Sequence, residues 1–167
     1  IVIDPRMAFG TGHHETTSLM MERLLYADLE GRSVLDMGTG TGILAILAAM
    51  RGAGKVVGVE IDPPAYENAL DNIQLNHVPQ VEIRLGGAET VVEVEAFDFV
   101  LANINRNIIL ADIDKYAHAL KSGGRMFLSG FYVEDVPLLE EKAKEFSLKL
   151  ESVKEKKRWA NMELVKL

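Results

Sequence analysis

Apolar positions follow two rhythms along this chain. Short, nearly continuous apolar runs at 33–37, 56–60, 80–85, 97–102 and 125–129 have the length and residue types of buried strands. Between them apolar residues recur every three or four positions, which predicts helices. The first, 16–27, carries Leu19, Met20, Leu24 and Leu25 on one side. The second, 42–50, is dense in Ala and Leu, and the third, 64–76, presents Ala65, Ala69, Leu70 and Ile73. The others are 107–120 and 134–145, the latter with Val136, Leu139 and Ala143. Breaks fall where turn chemistry predicts them, at Glu30-Gly31-Arg32, at Gly52 and Gly54, and at Lys121-Ser122-Gly123-Gly124. Residues 1–15, with Pro5, Gly10 and Gly12, read as a loop. The tail alternates polar and apolar over 147–153 and 158–165, which predicts an antiparallel hairpin.

Strands alternating with helices predict an α/β fold, a doubly wound, mainly parallel seven-stranded sheet covered on both faces. The C-terminal hairpin would form an antiparallel edge. A length of 167 residues suits one domain over 1–167, made of a loop (1–15), a helix (16–28) and a core (33–167). Ligands of such sheets bind beyond the carboxyl ends of the strands, at the point where strand order reverses. The positions to read are therefore 36–42, 60–62, 86–89, 103–105 and Gly130.

Composition narrows the class. Hydrophobic residues make up 48% and charged residues 26%, as in ordinary globular proteins, and no apolar run is long enough to cross a bilayer. The start, Ile1-Val2-Ile3-Asp4-Pro5-Arg6, does not have the form of a signal peptide. Cysteine is absent, which removes disulfides and thiolate metal sites and fits a cytoplasmic address. A net charge of −7 argues against direct nucleic-acid binding; the one basic cluster, at 154–158, reads as a solvated turn between strands.

The chemistry concentrates in Val34-Leu35-Asp36-Met37-Gly38-Thr39-Gly40-Thr41-Gly42, where an apolar run meets an acid and then glycine at every second position. Two readings fit. Residues 40–45 match G-x-G-x-x-A, a dinucleotide fingerprint that places a pyrophosphate at a helix N-terminus. Residues 36–42 match D-x-G-x-G-x-G, a loop for S-adenosyl-L-methionine, which carries a sulfonium and an ammonium and no phosphate. Charge favours the second, because like charges about 4 Å apart repel by roughly 4 kcal/mol at a surface-like dielectric, so Asp36 would oppose a pyrophosphate. Gly38, Gly40 and Gly42 allow close backbone approach. Glu60 ends the second strand, where a carboxylate can accept both ribose hydroxyls of either cofactor. Ile61 lies beside it, and Asp62 reads as the cap of the next helix. Ala88, within 86–89, sits where a base could lie against backbone. Asn103, after the fourth strand, offers a carbonyl and an amide beside the place where a methyl group would be presented.

A specific resemblance rests on these residues together. Asp4-Pro5-Arg6-Met7-Ala8-Phe9-Gly10-Thr11-Gly12-His13-His14-Glu15-Thr16-Thr17 resembles the D-P-G-x-A-F-G-T-G-x-H-x-T-T segment of ribosomal protein L11 methyltransferases. The V-L-D-x-G-T-G-x-G-I-L-A-I, G-V-E-I-D-P and A-N-I stretches downstream are similar too, so the resemblance covers the whole chain. It implies a Rossmann-like class I enzyme that uses S-adenosyl-L-methionine to methylate amino groups of ribosomal protein L11. Position by position it implies cofactor contacts at Thr17, Gly38, Glu60 and Asn103, under a covering loop of Phe9, Gly10, Thr11, Gly12 and His13. No metal is expected: His13-His14-Glu15 are adjacent and share no helix face.

The chain departs from the family in carrying Arg6 for the usual Gly, Glu15 for a common Pro, and Glu60 for the usual Asp. The family's full-length form has an N-terminal substrate-recognition domain to which nothing here corresponds, so the resemblance implies a catalytic domain alone or a shortened homologue. The expected chemistry is direct methyl transfer from sulfonium to a neutral amine, with Asn103 beside the substrate. Methyltransferases acting on glutamine amides carry N-P-P-Y after the fourth strand; Asn103-Ile104-Asn105-Arg106 lacks the prolines and the tyrosine. A non-catalytic cofactor-binding module is the alternative from another class.

Overall fold

A computed structural model describes residues 1–4 and 14–167. In chain order these form α1 (His14–Tyr26), β1 (Ser33–Met37), α2 (Ile43–Met50), β2 (Lys55–Glu60), α3 (Pro63–Leu75), β3 (Val81–Leu85), β4 (Phe97–Asn103), α4 (Arg106–Ala119), β5 (Leu120–Tyr132), α5 (Val136–Lys144), β6 (Leu148–Lys156) and β7 (Trp159–Lys166). The strands make one sheet in the order β3-β2-β1-β4-β5-β7-β6. The pairs from β3 to β5 are parallel, and β7 pairs antiparallel with both β5 and β6. The expected seven-stranded fold with its antiparallel edge is therefore the observed one.

The near-continuous burial of β1, β2 and β4 follows from helices on both faces. Strand alternation divides the core in two. Leu35, Met37, Val57, Val59 and Val100 pack with α4 and α5, while Val34, Val56, Phe99 and Leu101 pack with α1, α2 and α3. Six successive residues of α2, 44–49, are buried, which explains its lack of polar positions.

Local signals set most boundaries. Asp62 caps α3, its carboxylate accepting the Ala65 N–H at 3.3 Å, with proline in the first turn. Several boundaries differ from those expected. α1 begins at His14, inside the expected loop, and Leu25 of its expected apolar side is exposed. The turn expected at 121–124 lies inside β5: pairing jumps from Phe97–Leu120 to Phe99–Arg125, so these residues bulge while the strand continues. The helix expected from 134 is a 3-10 turn, Val133–Asp135, followed by α5; Pro137 has no N–H to extend the helix backward.

The basic cluster is also less of a turn than its composition predicts. Only Lys157 and Arg158 turn the chain, both at positive φ, as a two-residue hairpin loop matched to strand twist requires. Lys154 and Lys156 lie on β6 and reach back to Glu22 and Ser18 of α1.

Candidate functional site

The order of the strands reverses between β1 and β4, and there the chain presents its glycine loop. Met37 is in register with Val59 on one side and Ala102 on the other. The next residue, Gly38, is therefore flanked by Glu60 at the end of β2 and Asn103 at the end of β4. With strands about 4.8 Å apart, Glu60 and Asn103 stand about 10 Å apart across the loop. Leu85 and Ser129 extend the row on either side.

Asp36 is not at the rim of this site, as the sequence suggested, but beneath it. It lies one residue inside β1, 1% exposed, and its Oδ2 accepts the Thr39 hydroxyl at 2.7 Å. Burial pushes its carboxyl up to about 7; bonds from Thr39 and from the Ala45 N–H oppose that rise, and the charge of Glu60 adds to it. Ala45 belongs to the first turn of α2, so Asp36 already serves the end of the helix that would otherwise attract a phosphate. A pyrophosphate there would meet an occupied helix terminus. A ligand with positive charge would meet an acid that its own field helps to ionise.

Thr39 and Gly58 were invisible as site residues in the sequence. The Thr39 N–H bonds the Val59 carbonyl at 2.9 Å, which folds the loop back over β2. Its hydroxyl lies 3.0 Å from where a side chain on Gly58 would begin, so the strand has to be bare at that point.

The loop itself has one closed glycine and one open one. Gly38 has φ +68°, and a Cβ there would lie 2.4 Å from Ile104 Cγ2. It is required by packing as well as by conformation. Gly40 has φ +58°, and a Cβ would meet nothing within 4 Å among the described residues. Its open side is a cradle that a bound molecule can approach to backbone distance. Gly42 is the residue before α2, and its N–H bonds Thr39 O at 2.9 Å.

Glu60, 6% exposed, holds the loop with both oxygens. Oε1 accepts the Gly40 N–H at 2.9 Å and Oε2 the Asp62 N–H at 3.0 Å. A carboxylate has about four lone-pair sites, so two remain for a ligand's hydroxyls. Ile61, 73% exposed, places an apolar side chain beside it. The Gly86 N–H bonds Glu60 O at 2.9 Å and brings the end of β3 alongside, where the buried Ala88 opens the 3-10 turn Ala88–Thr90.

On the other side of the loop, the Asn103 amide donates to the Thr17 hydroxyl of α1 at 3.4 Å. These residues are 86 positions apart in the chain. Asn103 is not the cap of α4; Asn105 is, its Oδ1 accepting the Asn107 N–H at 2.7 Å. The Asn103 side chain is thus left to the site. Phe9, Gly10, Thr11, Gly12 and His13, expected to cover the cofactor, lie outside the described residues. Among the described residues no group of three His, Asp or Glu side chains is placed to hold a metal ion, and no helix is long and apolar enough to cross a membrane.

Comparison with known proteins finds relatives of the whole described chain. A family model described as ribosomal protein L11 methyltransferase matches residues 1–166. The protein of that name from Phocaeicola vulgatus is 50% identical over 165 residues, covering 99% of this chain and 59% of its own length. Its namesake from Porphyromonas gingivalis is 49% identical over 160 residues, covering 96% and 55%. The chain thus spans somewhat more than half the length of these relatives. Among solved structures, ribosomal protein L11 methylase from Lactobacillus delbrueckii subsp. bulgaricus superposes with a TM-score of 0.86 at 29% identity, over 93% of this chain and 81% of that one. TYW2 from M. jannaschii, solved in complex with AdoMet, shares the fold at a TM-score of 0.75 and 20% identity, over 96% and 80% of the two chains.

Proposed function

The chain belongs to the ribosomal protein L11 methyltransferase family, and from that membership we propose that it is an S-adenosyl-L-methionine-dependent protein N-methyltransferase acting in the cytoplasm. Its substrates would be amino groups of ribosomal protein L11, on lysine side chains, the N-terminal amine, or both. The observation that carries this reading is the alignment of Glu60, the glycine loop and the Asn103–Thr17 pair across the carboxyl ends of the central strands.

The bound cofactor supplies an activated methyl group on a sulfonium. The chain's own residues supply position and field. Glu60 has lone pairs left for the two ribose hydroxyls, and the backbone of Gly38 and Gly40 allows the amino-acid part to lie close. Ile61 and Ala88 offer an apolar side chain and a backbone edge to the base. Asp36 favours the positive charge from beneath the loop. Asn103, fixed by Thr17, stands where methyl group and acceptor amine would meet and orients the amine's lone pair. The amine nitrogen would take the methyl group directly from the cofactor, and the amine's proton would leave to water. No covalent intermediate on the chain is required.

Calorimetry with S-adenosyl-L-methionine, together with transfer of labelled methyl groups to purified ribosomal protein L11, tests the reading. This chain is compared with the longer Phocaeicola relative in the same assay. Binding with transfer supports the enzyme. Binding without transfer by either protein points to a non-catalytic module. Asn103→Ala should cut turnover at least a hundredfold while weakening cofactor binding less than tenfold.

A further inference from the structure

Asn68 and Asn72 of helix α3 and Asn76, its C-cap, follow at four-residue intervals, and all three side chains face the segment 1–4. Asn76 Oδ1 accepts the Val2 N–H at 2.7 Å, and its Nδ2 donates to Val2 O at 2.6 Å. Asn72 Oδ1 accepts the Asp4 N–H at 2.8 Å, and Asn68 Nδ2 donates to Asp4 O at 2.7 Å. The spacing has a geometric basis. Four helical residues rise about 6 Å, and two residues of extended chain advance about 6.6 Å, so Asn76 meets Val2 and Asn72 meets Asp4. Ile3, between the bonded residues, packs against the core.

Asn72 is the rung that leads elsewhere. Its Nδ2 donates to Thr41 O, in the glycine loop, at 2.9 Å, and at the longer distance of 3.4 Å to Asp4 O. The side chain is wholly buried, so it is fixed by these partners and not by water. Asn68 is buried as well, and its Oδ1 has no partner among the described residues. A buried amide is costly unless its polar ends are bonded, so packing alone would favour an apolar residue at either position. The Asn76 side chain also donates to Asn72 O at 2.7 Å, which joins the outer rung to the inner one.

We propose that Asn72 is a positioning residue for the cofactor loop, orienting Thr41 through one end of its amide while the other end is set by segment 1–4. Docking of that segment and order in the glycine loop are then coupled through one side chain. The inference rests on the reading of the loop as an S-adenosyl-L-methionine site.

Three variants test it. Asn72→Ala removes both links. Asn72→Asp keeps an acceptor for the Asp4 N–H and loses the donor to Thr41 O. Leu139→Ala, in α5 on the other face of the sheet, lowers stability without touching the loop. The readouts are calorimetric affinity for S-adenosyl-L-methionine, kcat at saturating cofactor, and amide exchange at Asp4 and Gly42. Asn72→Ala is expected to weaken cofactor binding at least tenfold, leave kcat within about threefold, and speed exchange at both amides. Asn72→Asp should weaken binding and free Gly42 while Asp4 stays protected. Leu139→Ala should lower the melting temperature with unchanged affinity. Affinity within twofold of the parent in Asn72→Ala, or an equal loss in Leu139→Ala, overturns the proposal. If the parent chain binds no cofactor, the proposed function fails, and the exchange pattern alone then decides whether Asn72 links the two segments.

Discussion

The Glu60 carboxylate accepts the N–H of Gly40 at 2.9 Å, so the acid at the end of β2 holds the middle of the loop that follows β1. An acid that sequence alone assigns to ligand recognition is thus also part of the frame of the site. Two N–H groups already bonded to it pre-orient its remaining lone pairs.

Glu60→Gln should weaken S-adenosyl-L-methionine binding by about 10- to 100-fold. The amide turns one oxygen into a donor, which then faces the N–H of Gly40 or Asp62 and loses a charge-assisted bond worth about 1.5–3 kcal/mol. Glu60→Asp restores a carboxylate and should recover most of the affinity. Titration calorimetry of both variants decides it; equal affinity in Glu60→Gln and the parent chain would remove Glu60 from the site.

Gly38→Ala and Gly40→Ala should separate folding from binding. At Gly38 a Cβ collides with Ile104 at positive φ, so a loss of about 2–4 kcal/mol in stability is expected. At Gly40 the described residues leave only the backbone conformation penalised, by about 1–2 kcal/mol, but the methyl group would enter the space proposed for the cofactor. Thermal melts should therefore rank Gly38→Ala as the less stable, while Gly40→Ala combines a small stability loss with a large loss of affinity.

The buried carboxyl of Asp36 gives the fold a pH signature. Its ionisation is raised from 3.8 in a model carboxyl to about 7. Between those values the unfolded chain has lost the proton that the folded chain retains, so this group's contribution to stability is full below pH 4 and lost as pH rises to 7, on the order of 1 kcal/mol per pH unit. Asp36→Asn keeps an acceptor for Thr39 and removes the titration. The stability difference between variant and parent, from urea midpoints at pH 5 to 8, should grow in the variant's favour up to pH 7 and level off above it. A difference independent of pH would show that Asp36 titrates normally.

Arg23 should matter to stability and not to the site. Its buried guanidinium bonds Ser152 Oγ at 2.8 Å and Glu163 Oε1 at 3.0 Å and also donates to Asn161, fastening α1 to β6 and β7. Arg23→Met should cost about 1–3 kcal/mol in chemical denaturation, because it strands the buried Asn161 carbonyl and removes one partner of the half-buried Glu163. Cofactor affinity at low temperature should stay within threefold of the parent. A large affinity loss would mean that α1 transmits strain from this anchor to Thr17.

The hydrophobic rhythm was enough to set the fold class, the number of strands and the antiparallel edge, because strand and helix periods are local and burial on both faces leaves long apolar runs. Spacing also nominated Gly38, Glu60 and Asn103, and the structure brings them to neighbouring strand ends. The boundaries read poorly where long-range pairing overrode local turn signals, as in β5 through Gly123 and Gly124. Asn68, Asn72 and Asn76 could have been noticed as a four-residue repeat, but their partners at Val2, Asp4 and Thr41 lie up to 74 positions away and leave no periodic trace.

The sequence by itself thus determined the fold class and the family, and nominated the residues to read for a cofactor. Tertiary structure alone decided how they share the work. It put Asp36 beneath the loop, because strand alternation turns it to the α2 face with its chemistry already committed to Thr39 and Ala45. It freed Asn103 for the site, because Asn105 caps the helix instead. Hydrogen-bond partners are chosen by three-dimensional proximity, and a linear pattern carries residue type and period but not which polar groups will meet.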